Sequence, residues 1–395
     1  MPTIEKIQKI NGNKPFSVCG WQDVRRRLKE HDIAIEFLQG KRYIYALALT
    51  KECQHPSIIK LCTRENKRVS FHNIYETANA YNDIWKRIVE LKPGIKNIYF
   101  SPCTMLEDCG IEYAMTSDGK FMCDKFNMYR LSNTRQIADF YIKRNTIANT
   151  ITFGGMQYYI DDDENQAPYN NTNINPIRNT SGISRGAIDG IPNLPGSLNE
   201  VVSITNYLKE NKNIIQCYTQ LNATEEQFKS LSGKDVSCIL LSTHGITYSK
   251  KNILSYDQKS LNSSALLFTG AENSIEAYAE NKFSTTNDGI LTAKEISEMD
   301  LRHVDMVILS ACDSGVGTLM YGLKMAGVRT ILMSLHKVDD DATQILIKSF
   351  FRNLINGETK RQSFVKAQSY LRGYDNHRYN DPKYWAAFIL LDGLD

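Results

Sequence analysis

The sequence predicts an α/β protein with a doubly wound, mainly parallel sheet and helices on both faces. From about residue 150 onward, short apolar runs alternate with segments of helical periodicity. Two of these runs, 236–243 and 306–311, stop beside a histidine and a cysteine. A hydrophobic content of 42% supports a core, and 23% charged residues can solvate its surface.

The amino-terminal part predicts a smaller α/β half that covers residues 1–149. Strands are predicted at 33–38, 43–49, 58–62 and 98–102, where β-branched and aromatic residues are frequent. Apolar residues recur with helical spacing over 74–91, so this segment predicts an amphipathic helix. The pattern at 131–145 mixes helix and strand features.

Residues 161–195 differ in composition from both halves. An acidic run at 161–164 precedes a stretch rich in Asn, Pro, Gly, Ser and Thr. This composition predicts a long mobile loop or linker. The acidic run is typical of solvated charge, with a calcium site as the alternative.

The second half, residues 150–395, shows the regular alternation that defines the fold class. Strands are predicted at 150–160, 214–218, 236–243, 306–311, 330–335 and 386–391. Helices are predicted at 198–208, 319–326, 340–355 and 360–372, and shorter ones after Thr224 and Thr292, which resemble helix caps. Residues 246–290 are predicted to be an insertion.

Cys312 and His244 are the candidate reactive pair. Each follows a predicted strand, and the carboxyl ends of parallel strands are where open α/β sheets place their chemistry. A lone cysteine or histidine is more often structural. Small residues surround Cys312, however, and Gly245 follows His244 with a backbone N–H that can face an oxyanion. Together they predict a Cys–His pair for nucleophilic catalysis. His336 also follows a strand, so we expect it at the same edge.

Composition restricts the remaining function classes. The net charge of +3 gives no argument for nucleic acid or an anionic membrane as partner. We expect a cytoplasmic protein, because no apolar run reaches transmembrane length and the first residues lack a signal-peptide core. The nine cysteines form no Cys-x-x-Cys pair, so neither a zinc site nor a disulfide framework is predicted, and no cofactor is expected.

Several motifs, in this order, resemble those of a CHAT domain. They are LPGS at 194–197 with Glu200 after it, THG at 243–245, DGILTAKEI at 288–296, LSACDSG at 309–315, VDDDAT at 338–343 and YWAAF at 384–388. That family groups with caspases, separases and gingipains, the caspase-like cysteine peptidases of clan CD. The resemblance covers about residues 150–395. More weakly, 35–37, 98–102 and 129–135 resemble the pseudo-protease half that precedes the active half in longer CHAT and separase-like proteins.

The resemblance implies a cysteine endopeptidase that forms an acyl-enzyme with a protein substrate. By motif position, His244 is the catalytic histidine and Cys312 the nucleophile, and the amides of Gly245 and Cys312 form the oxyanion hole. Many relatives have Trp where His336 stands, at the border of the substrate cleft. The helical repeat array that often regulates relatives has no recognisable counterpart here. We expect activation by a protein partner or a ligand.

Three aspartates and two arginines are further candidates. Asp339, Asp340 and Asp341 could select a basic P1 side chain, or they could simply cap and charge the start of a helix. Arg178 and Arg185 lie in the predicted linker, where caspase-like enzymes are often processed, and are candidate self-cleavage sites.

Two other functions compete with a peptidase. The closer alternative is a catalytically silent module that uses the same fold to bind a protein. A nucleotide-binding domain is disfavoured, because no glycine-rich phosphate loop follows a strand.

Overall fold

The computed structural model describes residues 19–63, 74–139, 146–160, 190–211, 213–247, 261–279, 287–310 and 316–395. These residues divide into two units. The first contains the described residues up to 139, apart from Glu107–Gly110, and the second contains those from 146 to 393. Within the described residues, no helix is long and apolar enough to cross a membrane.

In the first unit, five strands follow the order β3-β2-β1-β4-β5. β4 is parallel to β1 and β5, whereas β1, β2 and β3 pair antiparallel. The strands are β1 Asp32–Gln39, β2 Tyr43–Thr50, β3 Ser57–Thr63, β4 Asn97–Ser101 and β5 Asn127–Arg130. The helices are α1 Trp21–Arg27, α2 Lys86–Leu91, α3 Thr104–Glu107 and α4 Met122–Lys125. All four strands predicted in this half are confirmed.

The predicted helix over 74–91 begins later than its apolar spacing suggests. Ile74 lies in a turn, and its carbonyl accepts a hydrogen bond from Met115 N at 3.1 Å. A π-helical turn, Tyr81–Trp85, then leads into α2. Trp85 is fully buried and donates through Nε1 to Ile111 O at 2.8 Å. Because the Ile74 backbone pairs with another segment, it is not available to start the helix.

In the second unit, six strands follow the order β14-β13-β12-β8-β6-β7. Five are mutually parallel, and β14 pairs antiparallel with β13. The strands are β6 Asn149–Met156, β7 Ile214–Gln220, β8 Cys238–Ser242, β9 Gly245–Thr247, β10 Ser264–Leu267, β11 Ile290–Thr292, β12 Met306–Ser310, β13 Thr330–Ser334 and β14 Phe388–Leu391. The helices are α5 Pro195–Glu210, α6 Glu225–Lys229, α7 Ala271–Ala279, α8 Ala293–Glu298, α9 Val316–Ala326, α10 Asp340–Ile355, α11 Lys360–His377 and α12 Pro382–Trp385. The predicted α/β class with a mainly parallel sheet is confirmed.

The central strands β8, β12 and β13 are buried along almost their whole length. Strands that are covered on both faces need continuous apolar runs, which is why these segments show no polar alternation. In the parallel pairing, Ser242 of β8 lies opposite Ser310 of β12. Both strands therefore end at the same level of the sheet edge, immediately before the segments that carry the predicted reactive residues.

A second, small sheet with the order β11-β10-β9 spans the predicted insertion and extends just beyond both of its ends. Strand β11 runs directly into α8, and this helix begins with a capping box. Thr292 Oγ1 accepts from Glu295 N at 3.2 Å, and the Glu295 carboxylate accepts from Thr292 N at 2.9 Å. Thr224 caps α6 by accepting from Gln227 N at 3.2 Å. Both caps predicted from the sequence are thus present.

Candidate active site

The His244 backbone is fixed on both sides at the end of β8. Its carbonyl accepts from Leu267 N at 2.9 Å, and its N–H donates to Tyr158 Oη at 3.2 Å. The Tyr158 ring also packs against the imidazole, with ring centroids 5.1 Å apart. Burial raises the pKa of Tyr158 to about 12, so its hydroxyl stays protonated at neutral pH and can donate to Thr243 Oγ1, 2.9 Å away.

The His244 side chain is oriented by a backbone carbonyl. Nε2 lies 2.8 Å from Pro192 O, and a carbonyl oxygen can only accept, so Nε2–H is the donor. The neutral imidazole then carries its basic lone pair on Nδ1. A base whose second nitrogen is fixed in this way is a feature of nucleophile–base pairs, where a third group sets the tautomer.

The position of Pro192 depends on Glu272 in the first turn of α7. Ile191 N donates to Glu272 Oε2 at 3.0 Å, and Glu272 N donates to Tyr158 O at 2.9 Å. The chain passes so close at Gly190 that a Cβ there would lie 2.4 Å from Glu272 Oε1. The carboxylate therefore ties residues 190–192 to the same local framework that holds Tyr158 and His244.

Glu200 links the ends of the two central strands. Its Oε2 accepts from Ser242 Oγ at 2.8 Å and from Ser310 Oγ at 3.0 Å. Glu200 is only 4% exposed, and this burial, with the nearby charge of Asp340, raises the pKa of its carboxyl to about 7. A carboxyl group with such a pKa is close to half ionised at neutral pH.

Helix α5 brings Glu200 to this place because it packs very closely against β6. A Cβ on Gly154 would lie 2.7 Å from Val201 Cγ1, so only glycine allows this approach. At the start of the helix, Ser197 Oγ donates to Ser242 O at 2.6 Å and accepts from Gly155 N at 2.9 Å. The helix start is thereby bonded to the same strand end as the Glu200 carboxyl.

The direction of the Gly245 N–H decides whether this amide can donate a hydrogen bond to an oxyanion. The bond from Leu267 N to His244 O places Gly245 opposite Leu266 in a non-hydrogen-bonded pair. The Gly245 N–H therefore points away from β10. That direction is compatible with the predicted role of this amide as an oxyanion donor.

The three aspartates that follow β13, at positions 339–341, occupy different positions. Asp339 caps α10, accepting from Ala342 N at 3.0 Å. Asp340 packs against Gly196, where a Cβ would lie 2.8 Å from its Oδ2. Burial, Asp339 and Asp341 raise the pKa of Asp340, and Lys337 and His244 lower it. The charges of Asp340 and His244 therefore interact.

The CHAT domain family model matches residues 75–393, which is more than half of the chain. The chain belongs to the CHAT domain family. No curated protein matches it significantly. Among solved structures, the chain is similar to the crystal structure of the Arg-specific cysteine proteinase gingipain R (RGPB), with a TM-score of 0.46 and 9% sequence identity over 81% of this chain and 69% of that one.

The described part of this CHAT protein includes only some of the predicted site residues. His244, Gly245, Asp339, Asp340 and Asp341 are described, as is His336, which is exposed and donates through Nδ1 to Lys337 O, 3.1 Å away. Cys312, Arg178, Arg185 and the acidic run 161–164 lie outside the described residues. The substrate-binding roles of His336 and the three aspartates stay predictions.

Two functional groups of the site were missed by reasoning from the sequence. The Pro192 carbonyl belongs to the backbone, so no residue type signals it, and it lies within the segment predicted to be a linker. Glu200 was noticed only as part of a family motif. A signal was available in Ser242 and Ser310, which occupy the same register two positions before His244 and Cys312.

Proposed function

We propose that this CHAT protein is a cysteine endopeptidase that cleaves protein substrates with a His244–Cys312 dyad. The observation that supports this proposal most is the hydrogen bond from His244 Nε2–H to Pro192 O, 2.8 Å long. It fixes the tautomer in which Nδ1 is the basic nitrogen, as a general base that takes the thiol proton through Nδ1 requires. This favours a peptidase over a silent binding module.

The reaction begins with proton transfer from the Cys312 thiol to His244 Nδ1. The thiolate sulfur then bonds to the scissile carbonyl carbon, and the carbonyl π electrons move to oxygen, where the amides of Gly245 and Cys312 donate to the oxyanion. Collapse of this intermediate breaks the C–N bond, and the imidazolium gives its proton to the leaving amine. Water, deprotonated by His244, hydrolyses the resulting thioester and regenerates the thiol.

The positive charge that His244 gains during this cycle needs a stabilising environment. Pro192 O accepts from the imidazolium Nε2–H, and the Asp340 carboxylate lies within electrostatic range of the ring. Both groups favour the charged form, and a cationic imidazole beside a thiol favours the thiolate. His244 therefore has surroundings suited to the base of a pair that works at neutral pH.

Asp340 also supports a preference for basic P1 side chains, which is part of the proposal. It begins α10 beside the start of α5, its charge interacts with His244, and the helix cap is provided by Asp339. A carboxylate at the rim of the site attracts a P1 arginine or lysine by charge-assisted hydrogen bonding. His336, on the same segment, would border this subsite.

Covalent labelling of Cys312 with peptidyl acyloxymethyl ketones tests the proposal. Such probes react with an assembled dyad, so labelling is measured with and without candidates for the partner or ligand that we propose as activator. We expect selective modification of Cys312, read by mass spectrometry, that is lost in His244→Ala. The remaining cysteines of the same molecule are the internal control. Labelling of Cys312 no faster than theirs, with candidate activators as well as without them, would refute the peptidase and leave the silent module.

A set of probes that differ only at P1 tests the specificity. We expect probes with Arg or Lys at P1 to label faster than those with Leu or Asp. The Asp340→Asn variant should lose most of this advantage, whereas Asp339→Asn and Asp341→Asn should change it less. An unchanged preference in Asp340→Asn would exclude Asp340 as the selecting charge.

A further inference from the structure

Glu200 is a buried acid that the dyad mechanism above does not use. Its Oε2 accepts from Ser242 Oγ at 2.8 Å and from Ser310 Oγ at 3.0 Å, although these serines belong to different strands. Each serine stands two positions before one member of the dyad. We infer that Glu200 is a positioning residue that fixes the distance between the chain segments bearing His244 and Cys312.

The sheet itself provides little restraint beyond this point. Ser310 pairs with Ser242 at the last position of the β8–β12 register, and the bond from Thr243 N to Ser310 O is 3.3 Å long. Among the described residues this is the last position at which the two strands pair, and the chain after β8 continues into β9. The Glu200 carboxyl adds two side-chain bonds where the backbone ladder ends, and α5 anchors it rigidly through Ser197.

The strength of this link depends on the ionisation of Glu200. A carboxylate accepts charge-assisted bonds from both hydroxyls, and the neutral acid accepts weaker ones. Ser242 faces the carboxyl from β8, Ser310 from β12, and Asp340 is the charged group that acts on it from α10. Among the described residues, none donates to Oε1, so this oxygen can carry the proton of the neutral acid.

The inference rests on the proposed function, and it predicts a specific change in the pH profile. Ionisation of Glu200, whose pKa is about 7, should tighten the dyad. The rate constant for Cys312 labelling should therefore rise through neutral pH in the wild type. In Glu200→Gln, which keeps an acceptor oxygen but cannot ionise, the rate should fall about tenfold above pH 7, and the part of the rise that follows Glu200 should disappear, leaving the rise due to the thiol itself.

A matched control separates this effect from the general cost of altering a buried acid. Glu225 is 1% exposed and accepts from Gly289 N at 2.8 Å, away from the two strand ends. Glu225→Gln should keep the wild-type pH profile of labelling. Loss of the neutral-pH rise in both variants would overturn the assignment to Glu200.

The serine variants provide a second test, which remains valid if Glu200 variants fold poorly. Ser242→Ala with Ser310→Ala should lower the labelling rate as much as Glu200→Gln. Adding Glu200→Gln to that pair should lower it little further, because all three changes break the same link. Additive losses would mean that Glu200 acts independently of the serines, and the inference would be wrong.

Hydrogen exchange distinguishes failure of this inference from failure of the proposed function, because it needs no activity. In Glu200→Ala, amides at the carboxyl ends of β8 and β12 should exchange faster, while those of β7 should not change. Faster exchange in a chain that no probe labels would support the positioning role and refute the peptidase. Unchanged exchange together with an unchanged labelling profile would overturn the positioning role.

Discussion

At the scale of single residues, the Glu200 carboxyl has an energetic consequence for the whole fold. Burial raises its pKa from 4.5 to about 7 in the folded chain, so the folded state holds the proton more tightly than the unfolded state. Because the folded state binds the proton more tightly, the free energy of unfolding falls as pH rises from about 4.5 through 7. The pKa shift corresponds to a loss of about 3 kcal/mol in the free energy of unfolding between pH values below 4.5 and above 7.

The Glu200→Gln variant should lack this dependence, because glutamine does not titrate. We expect urea unfolding to show wild-type stability decreasing between pH 5 and pH 8 by an amount of the order of 3 kcal/mol more than in the variant. Glu225→Gln is the comparison for a buried acid in another setting. Equal pH slopes for wild type and Glu200→Gln would show that Glu200 ionises normally in the folded chain.

Single residues also differ in how far the sequence alone predicts their place in the site. His244 and Cys312 were predicted because a reactive side chain after an apolar strand, beside small residues, is a local pattern. Pro192 and Glu200 depend on contacts across the fold, since each acts through a hydrogen bond to a residue more than forty positions away. Neither the proton on Nε2 nor the pKa of Glu200 can be derived before those contacts are known.

At the scale of elements, the segment 190–192 and helix α7 act as one unit. The Pro192 carbonyl cannot be replaced by mutation, but its support can be, because Ile191 N donates to the Glu272 carboxylate. Glu272→Ala removes that acceptor, whereas Glu272→Gln keeps an amide oxygen in nearly the same place. The pair of variants therefore tests whether the position of this segment controls the imidazole.

We expect Glu272→Ala to label at Cys312 about tenfold more slowly than wild type, with Glu272→Gln close to wild type. The test measures the rate of Cys312 labelling by a single probe, together with the thermal stability, for wild type and both variants. If both variants label at the wild-type rate, the Pro192 contact does not govern the base. If both lose stability equally, the effect belongs to α7 packing and not to the carbonyl.

Helices and strands were predictable from the sequence where a single local requirement, such as burial or a helix cap, determines them. The buried strands β8, β12 and β13 need continuous apolar runs, and α8 needs a cap, so both follow from the local sequence. The helix over 74–91 was predicted to start too early, because its first apolar residue is used in a turn instead. The pairing of β9, β10 and β11 within the insertion is long-range and had no local signal.

At the scale of the whole molecule, the family match extends beyond the unit that holds the candidate site. The CHAT match covers residues 75–393, so it includes part of the first unit as well as the second. The pseudo-protease character of the first half stays a prediction. So do the predicted protein partner, the absence of nucleic acid and membrane partners, and the cytoplasmic location.

Self-processing is a prediction about the chain as a whole. Arg178 and Arg185 carry the basic P1 side chain that Asp340 is proposed to select. We expect wild-type protein under activating conditions to yield two fragments split after one of these arginines, and Cys312→Ala to stay intact. Intact-mass spectrometry of both proteins decides this. Full-length wild type under conditions in which Cys312 reacts with probes would exclude processing at these positions.

The central claim is that His244, held as the Nε2–H tautomer by Pro192, activates the Cys312 thiol. The most direct measurement is the pH dependence of Cys312 alkylation by iodoacetamide, which needs no knowledge of the substrate or activator. We expect the wild-type rate to reach its plateau below the ordinary cysteine pKa of about 8.5, and that of His244→Ala to titrate at or above it. Identical profiles for the two proteins would show that the imidazole and the thiol are not paired.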